Sequence, residues 1–177
     1  MYIFLIILSV LLWIGALVAL RGRQMLAPAL SYAGLLLLSL AHKDGYQLLP
    51  INTTILMGWF AMTLVVMIIV MLQPEAVRRQ TRGTVYMIIG AVAGLAVGLL
   101  GFTFSTSLSL LYAIMVAGVI AGTFCGFLLY TRTPEGVPVS PGSGNFFRYL
   151  LAKGFPTAIT VMQPGIALVL AIALTTI

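Results

Sequence analysis

The stretch Ile51 to Leu72, "INTTILMGWFAMTLVVMIIVML", runs for 22 residues without one ionisable side chain. A bilayer core about 30 Å thick is crossed by roughly 20 apolar residues in a helix rising about 1.5 Å per residue, so this length matches one crossing. Five more segments read the same way. The six run approximately from Tyr2 to Leu20, Gln24 to Ala41, Ile51 to Leu72, Thr84 to Phe102, Leu108 to Tyr130 and Phe155 to Ile177. Hydrocarbon offers backbone amides no water, so each span is expected to be a helix, and the ten-residue alternation of a membrane barrel is missing. The expected fold class is therefore all-α: a single polytopic membrane domain of six transmembrane helices filling residues 1–177.

Composition supports that class. Hydrophobic residues make up 62% of the 177 positions and charged residues 7%, against roughly 45–50% and about 25% in a soluble domain. The net charge of +6 comes from nine Lys and Arg scattered between apolar runs. With no basic face, nucleic acid is not an expected partner, and the cations read as topology signals. Arg21 and Arg23 follow the first span, Arg78, Arg79 and Arg82 follow the third, and Arg132, Arg148 and Lys153 follow the fifth. Lys43 stands alone in the intervening loops. Under the positive-inside rule that asymmetry places both termini on the non-cytoplasmic side and three loops in the cytoplasm. The first span has no cation ahead of it, so it is expected to be retained rather than cleaved as a signal peptide. Compact loops suit a bacterial inner membrane.

Glycine has its own pattern. In the fourth span Gly90, Gly94 and Gly98 fall within an arc of about 80° on a helical wheel, and Gly101 lands among them. Gly118, Gly122 and Gly126 repeat the spacing in the fifth. Within lipid, small residues let backbones approach closely and take the place of the hydrophobic effect, so these seven are the expected helix-packing residues. The short link near "TFSTS" predicts an antiparallel hairpin. The spacing leaves open whether the two faces meet each other, a neighbouring subunit, or a ligand, lipid or pore wall.

Chemistry is sparse. No Asp, Glu, Lys or Arg lies in the middle of a span, which disfavours an ion-coupled pump. The three acids, Asp44, Glu75 and Glu135, lie in loops, so no catalytic carboxylate pair is expected. One histidine and the single Cys125 disfavour a metal centre, and no glycine loop carries the Lys and Ser or Thr of a phosphate cradle. Neither catalysis nor a cofactor is expected.

Two polar places stand out. "AHKDGYQ", residues 41 to 47, puts His42 at the outer end of the second helix, where a solvated turn made with Asp44 and Gly45 is expected. Pro164 sits inside the sixth span after Gln163; it cannot donate to the carbonyl of Thr160, so a kink is expected there. Thr63, Thr160 and Gln163, with His42 at the mouth, form the candidate path for a solute. The loop from residue 131 to 154 carries "TRTPEGVPVSPGSG" and is expected to be extended or mobile. "NFFRYLLAKG" follows, with Asn145 as cap and a short interfacial helix in the lipid headgroup layer.

The expected role is that of a non-catalytic packing subunit or partner in a larger membrane assembly, surrounded by lipid and associating with other membrane subunits or with itself. The alternative is a small channel or carrier for a neutral or weakly polar solute.

Overall fold

The computed structural model describes residues 2–43, 46–49, 51–75, 77, 82–100 and 107–176. Its order is α1 (Tyr2–Gly22), α2 (Leu26–Ser39), a hairpin of β1 (His42–Lys43) and β2 (Tyr46–Gln47), then α3 (Thr53–Leu72), α4 (Thr84–Leu100) and α5 (Leu108–Thr131). A short helix α6 (Phe146–Tyr149) continues through a π turn (Leu150–Gly154) into α7 (Phe155–Thr176). The fold is helical, and among the described residues there is one two-residue antiparallel pairing, which matches His42 to Gln47 and Lys43 to Tyr46. Among the described residues four helices are long and apolar enough to cross a membrane: Tyr2–Gly22, Thr53–Leu72, Leu108–Thr131 and the continuous Phe146–Leu174. That is compatible with a multi-pass membrane protein. α2 is shorter than its sequence segment, 14 residues, and α4 has 17, or about 21 and 26 Å at 1.5 Å per residue.

Local chemistry sets the helix ends. Asn52 caps α3: its backbone is extended and its side-chain oxygen accepts from the Thr54 amide at 3.3 Å. The same helix stops at Gln73, extended at φ −75° and ψ 145°, because the ring of Pro74 disfavours helical geometry in the residue before it. α1 reverses into α2 through the Leu26 amide bonded to the Arg23 carbonyl at 2.9 Å. Across that hairpin the Trp13 indole donates to the Ser31 carbonyl at 3.1 Å. Gly34 lies beneath the indole, where an added Cβ would come 2.6 Å from the ring nitrogen.

The last helix is the centre of the bundle. Of its most apolar window 67% is buried, whereas the windows of α1 and α3 are each 17% buried. α7 packs against α1, α2, α3, α4 and α5 in turn, and its Ile159, Val161, Met162 and Ile166 form the middle of the main core. At Gly165 an added Cβ would meet Leu95 of α4 at 2.8 Å and Met115 of α5 at 3.0 Å. α1 and α3 keep their apolar side chains outward, as with Phe4, Ile7, Met57 and Ile68.

The glycine faces of α4 and α5 lie against each other within the chain. A Cβ on Gly90 would collide with the carbonyl oxygen of Gly122, one on Gly94 with that of Gly118, and one on Gly126 with that of Tyr86. Gly98 lies over Met115, whose Cα an added Cβ would approach to 2.9 Å. Partner numbers fall on α5 as they rise on α4, so the helices run antiparallel. Gly101 lies outside the described residues.

The loop after α5 departs from expectation. It is a chain of tight turns, not an extended segment. The Thr133 amide bonds to the Tyr130 carbonyl, Gly136 to Thr133, Val139 to Gly136 and Ser143 to Ser140, all between 2.9 and 3.0 Å. Gly142, at φ +98°, occupies the left-handed region that glycine tolerates. The turns deliver Val139 into a second core of Met87, Phe127, Tyr130 and Tyr149. Asn145 precedes α6 with helical backbone angles and makes no side-chain capping bond. Lys153, expected in the headgroup layer beside Arg148, is 1% exposed. The π turn holding it carries one residue more than an α turn and so rotates α7 relative to α6.

Candidate functional site

Three helices bring polar groups to the middle of α7. Pro164 has no amide hydrogen to give the Thr160 carbonyl. Ser31 of α2 fills that place, its hydroxyl donating to the Thr160 carbonyl at 2.8 Å. One residue before the proline, the Gln163 side-chain amide donates to the Thr63 hydroxyl of α3 at 2.9 Å, and Thr63 in turn donates to the Trp59 carbonyl at 2.7 Å. Ser31, Thr160 and Gln163 are no more than 1% exposed, and Thr63 is 3% exposed. The cluster carries no formal charge and is sealed from the surface. Two of its atoms are left over: the Gln163 side-chain oxygen and the Thr160 hydroxyl are buried without a hydrogen-bond partner.

Of the candidate path residues, the structure thus joins Thr63 to Gln163 and sets Thr160 one helical turn before it. His42 stands apart, exposed on the hairpin, with its Nδ1 2.9 Å from the Leu40 carbonyl. Asp44 and Gly45, the turn itself, lie outside the described residues. Sequence reasoning missed Ser31. A carbonyl freed by an internal proline was visible, but a serine 129 positions earlier carried no signal that it would answer.

A second site opens sideways. α3 and α5 do not close around α7, and between them lies a cleft of about 460 Å³. Trp59 and Met62 line one wall, Ile120 and Phe124 the other, with Leu151 and Ile159 as part of the floor. Thr123 and the Trp59 indole carry its only polar side-chain atoms, and the Thr123 hydroxyl turns away to its own helix, donating to the Val119 carbonyl at 2.7 Å. Thr63, Val66 and Val70 are the residues α3 buries, so this helix is held lightly and its cleft face is bare.

A third arrangement closes one end. Tyr149 stacks on Phe127 at 5.5 Å and on Tyr130 at 5.9 Å between ring centres, and its hydroxyl donates to the Arg82 carbonyl. Arg82 pairs with Glu135 at 3.3 Å on the exposed surface. Gln24, from the α1–α2 turn, reaches Thr84 at the start of α4 at 3.4 Å. The links after α1, α3 and α5 therefore gather at one end of the bundle. Among the described residues, no group of three His, Cys, Asp or Glu could hold a metal ion, and Cys125 is free and exposed.

Comparison with known proteins gives no relative: no protein family, no curated protein and no solved structure matches the chain.

Proposed function

We propose that the chain is a six-span, non-catalytic integral membrane protein, at home in a bacterial inner membrane, that works as a partner within a larger membrane assembly. The observation that carries this reading is the apolar cleft between α3 and α5, where the ring around α7 is left open. In lipid, helices associate through close van der Waals contact more than through hydrophobicity, and an indented, hydrocarbon-lined flank offers that contact to an incoming helix. The glycine faces are spent on each other, so the partner surface is the flank beside α3. Gently solubilised protein is expected to run above the mass of a single chain, and Ile120→Trp, which thrusts a larger ring into the cleft wall, is expected to return it to single-chain mass. A strictly monomeric wild type would end this reading.

Both termini lie outside in this proposal. Its support is that the turn after α1, Arg82 and the loop holding Glu135 share one end, and these are the links that carry eight of the nine cations. In sealed vesicles of a Cys125→Ser background, single cysteines at His42 and Glu135 are expected to react with an impermeant maleimide from opposite sides. Reaction from the same side refutes the arrangement.

The Gln163 cluster favours a second reading, a carrier for a small uncharged solute. Its testable core is whether that centre binds such a molecule.

A further inference from the structure

We propose that the centre of α7 is a binding station for one small uncharged molecule bearing both a hydrogen-bond donor and an acceptor, water being the smallest, held between Gln163 and Thr160. The inference rests on the carrier reading and is independent of the assembly.

The hydrogens of the cluster do not match its acceptors. Ser31 has spent its hydroxyl hydrogen on the Thr160 carbonyl, and Thr63 has spent its own on the Trp59 carbonyl. The Gln163 oxygen and the Thr160 hydroxyl remain buried with no partner. Turning the Gln163 amide over does not help, since Thr63 would then face the oxygen and leave the amide hydrogens without an acceptor. One end is always left over. Buried polar groups in folded proteins are almost always bonded, to protein or to ordered water, and the penalty for leaving them bare is steep in a membrane interior. Thr160 and Gln163 stand three residues apart on one helix and so share a face. A single guest can therefore give a hydrogen to the Gln163 oxygen and pair with the Thr160 hydroxyl.

The surroundings set the class of guest. Among the described residues of the cluster none is charged, so an ion would lose its hydration with nothing of opposite sign in return. A purely apolar guest would leave the same two atoms bare. The cluster is sealed, so the guest is limited to a few atoms.

The test is the structure of the full chain in lipid nanodiscs, at side-chain resolution, in water and with urea added as the organic probe. We expect a non-protein peak at hydrogen-bond distance, roughly 2.7–3.2 Å, from both the Gln163 oxygen and the Thr160 hydroxyl. It should be kept in Thr160→Ser and lost in Thr160→Val. Should Thr160→Val not fold, Gln163→Met provides the same comparison. Replacement of the peak by planar urea density identifies a station open to organic solutes; an unchanged peak identifies water. No peak in the wild type, or one that survives loss of the hydroxyl, overturns the proposal. The assembly reading stands or falls separately, on particle mass.

Discussion

Gly122→Leu should abolish the native pairing of α4 with α5, and even Gly122→Ala should lower stability measurably. A Cβ at this position runs into the Gly90 carbonyl oxygen and comes within 2.9 Å of the Gly94 Cα. Both obstacles are backbone, so no rotamer change relieves them and the helices must separate. Separation propagates, because Gly94 and Gly118, one turn along, rely on the same approach. Two effects oppose each other in the alanine variant. Replacing glycine inside a helix gains about 1 kcal/mol of propensity, while overpacking costs about 1–3 kcal/mol and the loss of neighbouring contacts adds to it. The steric cost wins. Gly58 of α3 is the control, since a Cβ there meets nothing within 4 Å; Gly58→Ala should be neutral or gain up to about 1 kcal/mol. Thermal unfolding in nanodiscs reads all three variants. If Gly122→Leu melted with the wild type, the close approach of α4 and α5 would be refuted.

That pairing marks where sequence reasoning reaches its end. Spacing at every fourth residue defines a flat face, because a helix wheel depends only on local geometry. It cannot say what lies opposite, because that depends on how the link is threaded. The same limit applies to the polar centre. Pro164 announces a freed carbonyl at Thr160 through covalent structure alone, yet the answering Ser31 and the link from Gln163 to Thr63, 100 residues apart, exist only once three helices converge. Thr63 of α3 is a candidate for the path on its polarity alone, with nothing in the sequence to pair it with Gln163. It is distinguished by lying among the few that helix buries, which no periodicity in a uniformly apolar segment reveals. The second segment is the shortest of the six in the sequence, and α2 is shorter still, since the segment's ends, Gln24 and Ala41 among them, are as compatible with turns beside the bundle as with helix.

The loop after α5 misled for a different reason. Proline and glycine break regular structure, but they also build turns: proline presets one backbone angle and glycine supplies the left-handed one. Pro134, Pro138 and Pro141 all lie within consecutive tight turns, and Gly142 takes the positive φ. What holds those turns down is an aromatic core assembled from distant parts of the chain. Tyr149→Ala is accordingly expected to destabilise the protein by about 3–5 kcal/mol, the usual range for truncating a buried aromatic ring. Tyr149 is fully buried, stacked against Phe127 and Tyr130, and in the same core as Val139 from the loop. Removing its ring takes away the surface on which Val139 rests and leaves a void at the end of α4 and α5. Beyond their single backbone bonds the first turns are tied by the Tyr130 hydroxyl donating to the Glu135 carbonyl, the Thr133 hydroxyl donating to the Tyr130 carbonyl and the pair of Arg82 with Glu135, whereas the later turns rest on Val139 in the aromatic core. Tyr149→Phe separates the ring from its hydroxyl: it keeps the ring stack and loses the bond to the Arg82 carbonyl and the side-chain hydrogen bond with Tyr130, together worth about 1–2 kcal/mol. Limited proteolysis between residues 133 and 144 provides the readout, with rapid cleavage expected for Tyr149→Ala and near wild-type resistance for Tyr149→Phe. A loop equally protected in all three proteins would mean that its own turns suffice and that the aromatic stack is not what closes this end of the bundle.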